Sequence, residues 1–138
     1  WKEVACAKAH ITHDELPTVV ADPGQMDQLL QNLISNALKF AGGRPARVHL
    51  SARELEKRWE ISVRDEGIGI DPAAADRVFV MFQRLHTERE YPGTGIGLAI
   101  CKRIVERHGG TIRVRSQTNQ GSTFIFTIAK NVSERDEQ

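Results

Sequence analysis

"RWEISVRDEGIGI", Arg58 to Ile70, carries the alternation of a half-buried strand and runs into two glycines. Trp59, Ile61, Val63 and Asp65 fall on one face, with Glu60, Ser62, Arg64 and Glu66 on the other. Asp65 therefore points to the side that its apolar neighbours bury. A buried carboxylate is costly unless donors reach it, and Gly67 and Gly69 leave bare backbone beside it for the approach of a flat group. An exocyclic amine above an apolar floor is one chemical match: adenine offers N6 as a donor and two faces for Ile, Leu and Phe. The other use of an aspartate there is to cap a turn, or the helix near Pro72.

Working outward, this strand forms a hairpin: about Ala46 to Arg53 pairs with about Arg58 to Asp65 through a turn at Glu56 and Lys57. Upstream, extended segments are predicted near Ala7 to Ile11 and Thr18 to Val20, then a helix from about Pro23 to Ala41. Downstream come a short helix over about Ala73 to Phe79, an irregular segment to Pro92, and a helix over about Ile96 to His108 that Gly109 and Gly110 terminate. A closing hairpin joins Thr111 to Ser116 with Ser122 to Ile128 through "QTNQG". Strands and helices segregate, so the class is an α+β two-layer sandwich, a mixed β-sheet packed on about three helices. Residues 1–130 read as one domain and 131–138, "NVSERDEQ", as a polar tail that frays.

The first long helix is punctuated at its start. Asp22 is placed as N-cap, Pro23 as first helical residue, and Gln25 as the return arm of a capping box. Met26, Leu29, Leu30, Leu33, Ile34, Ala37 and Phe40 form one apolar arc. Asn32, Asn36 and Lys39 share its shoulder, two amide oxygens and an ammonium where a helix leaves the core. Such a trio serves either as a solvated flank or as one wall of a cleft. Asparagine is a poor helix former, so propensity does not explain two of them one turn apart.

In "YPGTGIGLAI", Tyr91 to Ile100, Gly93, Gly95 and Gly97 precede a helix. Glycine there costs about 1 kcal/mol relative to alanine, so the spacing suggests a close approach, and the exposed N–H groups of a helix start suit an anion. A flexible loop entering a helix is the plain alternative. The spacing fits neither a dinucleotide fingerprint nor a P-loop, since Gly97 is followed by Leu98 and Ala99.

Composition narrows the classes. At 138 residues and a net charge of +1, the chain is long enough for a core and predicts no electrostatic sheath for nucleic acid or anionic membrane. Cys6 and Cys101 form no metal or disulfide pattern, which fits a reducing, cytoplasmic compartment. No apolar run approaches the roughly 20 residues that span a bilayer. Because it begins at Trp1, the chain reads as an excised domain whose anchor or partner domain lies elsewhere.

The asparagine pair, D-E-G-I-G, F-x-x-F at Phe79 and Phe82, and G-T-G-I-G-L occur in that order. Together they resemble the ATP-binding catalytic domain of bacterial sensor histidine kinases, within the group that includes gyrase, MutL and Hsp90. "NLISNALKF" is similar to the N box, "DEGIGI" to the G1 box, "VFVMF" to the F box and "GTGIGLAI" to the G2 box, and "GSTFIFTI" extends the likeness to the last strand. The stretch "FQRLHTEREYPGTGIGLAICKRIVERHGG" further resembles phytochrome-like kinases.

That resemblance implies a Bergerat-type ATP-binding fold and, as cofactors, ATP and Mg²⁺. It implies that Asn36 ligates Mg²⁺ through its side-chain oxygen, that Asn32 assists in the same shell, and that Lys39 faces the phosphates. It makes Asp65 the acceptor for adenine N6, with Gly67 and Gly69 lining the base and Thr123 helping through a water. Gly93, Gly95 and Gly97 become the hinge and phosphate-facing end of a mobile lid over about Gln83 to Thr94. Arg84 matches a position that reaches the γ-phosphate, and Phe40, Ile70, Phe82, Thr94, Ile96 and Leu98 complete the nucleotide site. Tyr91 departs from a position where some relatives carry arginine. The partners implied are a histidine-containing dimerisation domain outside this chain and a downstream response regulator.

Asn32 separates the alternatives. In the gyrase, MutL and Hsp90 branches that position is a glutamate that activates water, whereas an amide takes no proton at neutral pH. A histidine kinase domain therefore ranks above a gyrase-type ATPase and above a nucleotide-dependent interaction module. "THDELPT", Thr12 to Thr18, superficially resembles the phospho-acceptor motif, but Pro17 makes a following helical turn difficult, so His13 is read as part of a strand and turn leading to the helix.

Overall fold

The computed structural model describes residues 10–39, 47–67, 69, 97–116 and 121–131. Its strands are β1 (His10–His13), β2 (Arg47–Glu54), β3 (Arg58–Asp65), β4 (Ile112–Ser116) and β5 (Ser122–Ala129), and its helices are α1 (Pro23–Lys39) and α2 (Gly97–Arg107). The five strands form one sheet in the order β1-β2-β3-β5-β4. β1 runs parallel to β2 and the remaining neighbours are antiparallel, so the sheet is mixed. The segments predicted as a short helix over Ala73 to Phe79, as the lid, and as the tail beyond Asn131 lie outside the described residues.

Alternation decides the layers. Val48 and Leu50 of β2, Val63 of β3, and Phe124, Phe126 and Ile128 of β5 turn to one face. There they meet Leu29, Leu33 and Ala37 of α1 and Cys101, Ile104 and Val105 of α2 in a single core. The other face is polar, with Glu60 held by Arg53 at 3.1 Å and Arg113 at 3.8 Å. The β2–β3 hairpin closes as its turn residues require, Leu55 N–H donating to Arg58 O at 2.9 Å around Glu56 and Lys57. Thr18 to Val20 is not a strand: the chain leaves the sheet after His13, with a last bond from Asp14 N–H to Leu50 O at 2.9 Å. β-branched residues there have no neighbouring strand to pair with, and Val19 packs on the core instead.

The helix ends are fixed by long-range partners as well as local ones. Asp22 Oδ1 accepts the Gln25 N–H at 3.0 Å, the expected N-cap bond. The reciprocal arm differs from the sequence reading: Asp22 N–H donates at 3.2 Å to Nε2 of His108, from the end of α2. An acceptor at Nε2 leaves the proton on Nδ1, which donates to Ile104 O at 2.7 Å. His108 is buried, and its carbonyl accepts the Ala129 N–H at 2.9 Å, so one residue joins both helices to β5. After it Gly109, at φ 74°, and Gly110 close a Schellman turn, with Gly110 N–H on Val105 O at 3.1 Å. A Cβ at Gly110 would stand 1.8 Å from Thr127 O, so only glycine lets that turn lie on the sheet.

His108→Leu keeps apolar bulk but strands the Asp22 N–H, and should lower unfolding free energy in urea by about 1–3 kcal/mol. Gln25→Ala should change it by no more than about 0.5 kcal/mol. Equal effects would restore the local capping box.

Candidate nucleotide site

Asp65 closes β3 on the face the helices cover, and only 8% of it is exposed. Its Oδ1 accepts the Gly67 N–H at 2.9 Å, and the Ser122 N–H also bonds the carboxylate. Burial raises its pKa above the usual 3.8, and the two backbone bonds oppose that rise. Part of the carboxylate thus serves the turn, as one of the two sequence readings has it. Gly67 and Gly69 are both buried, and Gly69 adopts φ 75°, a conformation that side chains resist.

The opposing strand corrects one placement. Asp65 pairs with Ser122, whereas Thr123 pairs with Arg64 and so lies on the other face of the sheet. The hydroxyl beside Asp65 belongs to Ser122, which is 7% exposed and meets Ser116 Oγ at 2.8 Å. Counting back by twos from Phe126 and Phe124 reaches Ser122, a signal present in the sequence. Gly121 was also missed. It has φ 84°, and a Cβ there would stand 2.1 Å from Asp65 O, so glycine is what lets the β4–β5 turn close over the aspartate.

On α1, Asn32 and Asn36 are half-buried one turn apart, at the edge of the apolar arc. Beneath them the Cys101 thiol of α2 donates to the Leu29 carbonyl of α1, with Sγ to O at 3.8 Å. Among the described residues, the Asn36 side chain has no hydrogen-bond partner. Lys39 is the last residue of α1, and its side chain is outside the described set. Gly97 is the first described residue of α2 and Leu98 packs against the core; Ile96, where the sequence reading begins this helix, lies outside the described residues. Phe40, Ile70, Phe82, Arg84, Gly93, Thr94, Gly95 and Ile96 lie outside the described residues. Among those described, no three His, Cys, Asp or Glu side chains gather as a metal cage, and no helix is long and apolar enough to cross a membrane.

The arrangement is a buried acceptor at a glycine-lined strand end, beside a helix bearing two amides and a second helix that begins at Gly97. Residues 21–132 match the family of histidine kinase-, DNA gyrase B- and HSP90-like ATPases, and the chain belongs to that family. It is 55% identical over 135 residues to cyanobacterial phytochrome A of Nostoc sp., covering 98% of this chain and 18% of that protein. With the sensor histidine kinase ZraS of Escherichia coli it shares 41% identity over 126 residues, 91% of this chain and 26% of that one. The chain thus spans under a third of either relative. Among solved structures it resembles the mycobacterial sensor histidine kinase MprB, with TM-score 0.81 and 26% identity over 93% of this chain and 89% of that one. It also resembles full-length ShkA in complex with AMPPNP, with TM-score 0.76 and 32% identity over 94% of this chain and 28% of that one.

Because burial raises the folded-state pKa of Asp65, the native chain holds that proton more tightly than the unfolded chain. The stability this gives is present at low pH and lost as pH rises through the raised value. In urea unfolding without nucleotide, the stability of wild type relative to Asp65→Asn should therefore decline as pH rises above the usual aspartate value of 3.8. A pH-independent difference would mean that the carboxylate is solvated.

Proposed function

We propose that the chain is the ATP-binding catalytic domain of a sensor histidine kinase. It binds Mg²⁺-ATP and donates the γ-phosphoryl group to a histidine on a separate dimerisation domain, from which a response regulator is served. Its place is the cytoplasm. The observation that carries the reading is Asp65, a carboxylate kept buried at a glycine-lined strand end although burial raises its pKa. One oxygen serves the turn through the Gly67 N–H, and the remaining acceptor capacity of the carboxylate suits a donor such as adenine N6.

The chain's own residues fit the nucleotide and the ion in kind. Gly67 and Gly69 present backbone to a flat base, and Ser122 supplies the hydroxyl on the Asp65 face. Asn36, half-buried with no side-chain partner among the described residues, has an amide oxygen to offer a hard cation. Mg²⁺, held by few protein groups and by phosphate oxygens, supplies neutralisation of charge on the phosphates. Lys39, the start of α2 at Gly97, and Arg84 are assigned to the phosphates. Phe40, Ile70, Phe82, Gly93, Thr94, Gly95, Ile96 and Leu98 are assigned to the walls and hinge of the site.

Asn32 weighs against a hydrolase of the gyrase type. It stands one turn before Asn36, and a neutral amide cannot take a proton from water. Transfer relies on positioning and charge stabilisation and can take its acceptor from another domain. His13 supports that division: it lies in β1, where its Nδ1 donates to Asp14 O at 2.8 Å, and not on a helix.

Calorimetry tests the assignment. Asn36→Ala should weaken ATP binding about tenfold or more with Mg²⁺, as expected for loss of a bond to a charged group. Binding in EDTA should change by no more than about twofold, and transfer to a supplied acceptor domain should fall with the Mg²⁺-dependent affinity. Equal losses with and without Mg²⁺ would remove Asn36 from the metal shell.

A further inference from the structure

The sheet face turned away from the helices carries its charge in two unequal halves. Toward the β2–β3 turn the charges are matched, with Glu60 held by Arg53 at 3.1 Å and Arg113 at 3.8 Å. Toward the strand ends beside Asp65, the register sets Thr12, His49, Arg64, Thr123 and Arg115 in one row across all five strands. Neighbouring strands lie about 4.8 Å apart, so Arg64 is roughly 5 Å from the strand of His49 and about 10 Å from that of Arg115. Arg47 stands in the next row, opposite His10. Among the described residues, Arg47, Arg64 and Arg115 make no ion pair. His49 is fixed in place, since Thr12 Oγ1 and Asp14 Oδ1 bond its two ring nitrogens at 2.7 and 3.1 Å. Two hollows flank Arg64. One, of about 390 Å³, is lined by His10, Thr12, Arg47 and His49, the other, of about 470 Å³, reaches Thr123 and Arg115, and Glu66 borders both.

Folding does not ask for these arginines. Like charges on neighbouring strands cost stability, and one row further on the same face is served by the uncharged pair Ser51 and Ser62. We propose that this half of the outer face is a docking surface for an acidic protein, whose side-chain carboxylates enter the two hollows and pair with Arg47, Arg64 and Arg115. The guanidinium fork matches a carboxylate in geometry, and arginine is enriched where proteins meet. Glu66 and Asp14 select a protein over a nucleic acid or an anionic membrane. A polyanion would meet these carboxylates with like charge, whereas a protein surface can answer them with a cation. A net charge of +1 also gives the chain no long-range pull on a polyanion. The row lies across the sheet from α1 and α2, so its occupancy does not depend on the Mg²⁺-ATP reading.

Hexaglutamate serves as the probe, titrated into the isotope-labelled chain while backbone amide resonances are followed. Those of His49, Arg64 and Arg115 should move together, those of α1 and α2 should not, and hexaglutamine should leave all of them in place. Arg64→Glu and Arg115→Glu should each weaken hexaglutamate binding about fivefold or more, the weight of an exposed ion pair lost or reversed. Lys102→Glu makes the same change of charge on the exposed flank of α2 and should stay within about twofold. An equal loss in Lys102→Glu would reduce the effect to net charge and overturn the proposal, as would shifts scattered over the surface or no binding at all. Tighter binding of a short DNA duplex, or of phosphatidylglycerol vesicles, at the same residues would overturn it in favour of a nucleic acid or a membrane. ATP affinity should be unchanged in Arg115→Glu, and its loss there would assign the row to the nucleotide site instead. Failure of the unmodified chain to bind ATP would sink the nucleotide reading and leave the docking result standing.

Discussion

A carboxylate at the buried end of β3 is the constraint around which the rest of this molecule is arranged. Asp65 continues the phase of Ile61 and Val63, so the strand cannot expose it without turning its apolar set outward. Two backbone donors, from Gly67 and Ser122, meet the charge in part. The first requires the chain to turn sharply after β3. The second requires the antiparallel register that sets Asp65 opposite Ser122, and a glycine at position 121 to let that turn approach. These features raise the cost of alternative registers, since a slip by one residue would turn Ile61 and Val63 outward with Asp65 and bring Glu60 and Arg64 onto the core face.

The helical layer rests on contacts of the same kind, polar groups buried where two elements meet. His108 ties the start of α1, the end of α2 and β5 through three hydrogen bonds, and Cys101 ties the middle of α1 to the first turns of α2. His108 thereby holds the ends of the two helices that lie away from Asn36 and Gly97, and Cys101 joins them nearer the candidate site. On the proposed reading, such ties keep the asparagine helix and the glycine-led helix in fixed relation. Ligand binding then has a rigid platform to act on.

Much of this was legible in the sequence because it is periodic or local. The alternation of Trp59 to Asp65 gave the strand and the burial of the aspartate, the arc from Met26 to Ala37 gave the face of α1, and Gly109 gave the end of α2. What was not legible depends on partners distant along the chain. The Asp22 N–H finds His108 and not Gln25, a choice made by the packing of α1 on α2. Thr18 to Val20 has strand-forming residues and no strand beside it. At the candidate site, the burial of Asp65 and the placing of the asparagine pair at the edge of the apolar arc were legible from spacing. Ser122 was displaced by its neighbour Thr123 because the motif was aligned as a word, while the pleat decides which hydroxyl shares the aspartate's face.

The account stands or falls on what Asp65 faces. A carboxylate aimed at N6 should distinguish bases that share every other feature of the nucleotide, because an acceptor placed against an acceptor loses the bond and leaves a buried charge unpaired. Parallel titrations of the unmodified chain with Mg²⁺-ATP and Mg²⁺-ITP make the comparison, since inosine carries a carbonyl where adenine carries its amine. ATP should bind about 10- to 100-fold more tightly than ITP, the range for a charge-assisted hydrogen bond. Equal affinity for the two nucleotides would contradict the adenine assignment.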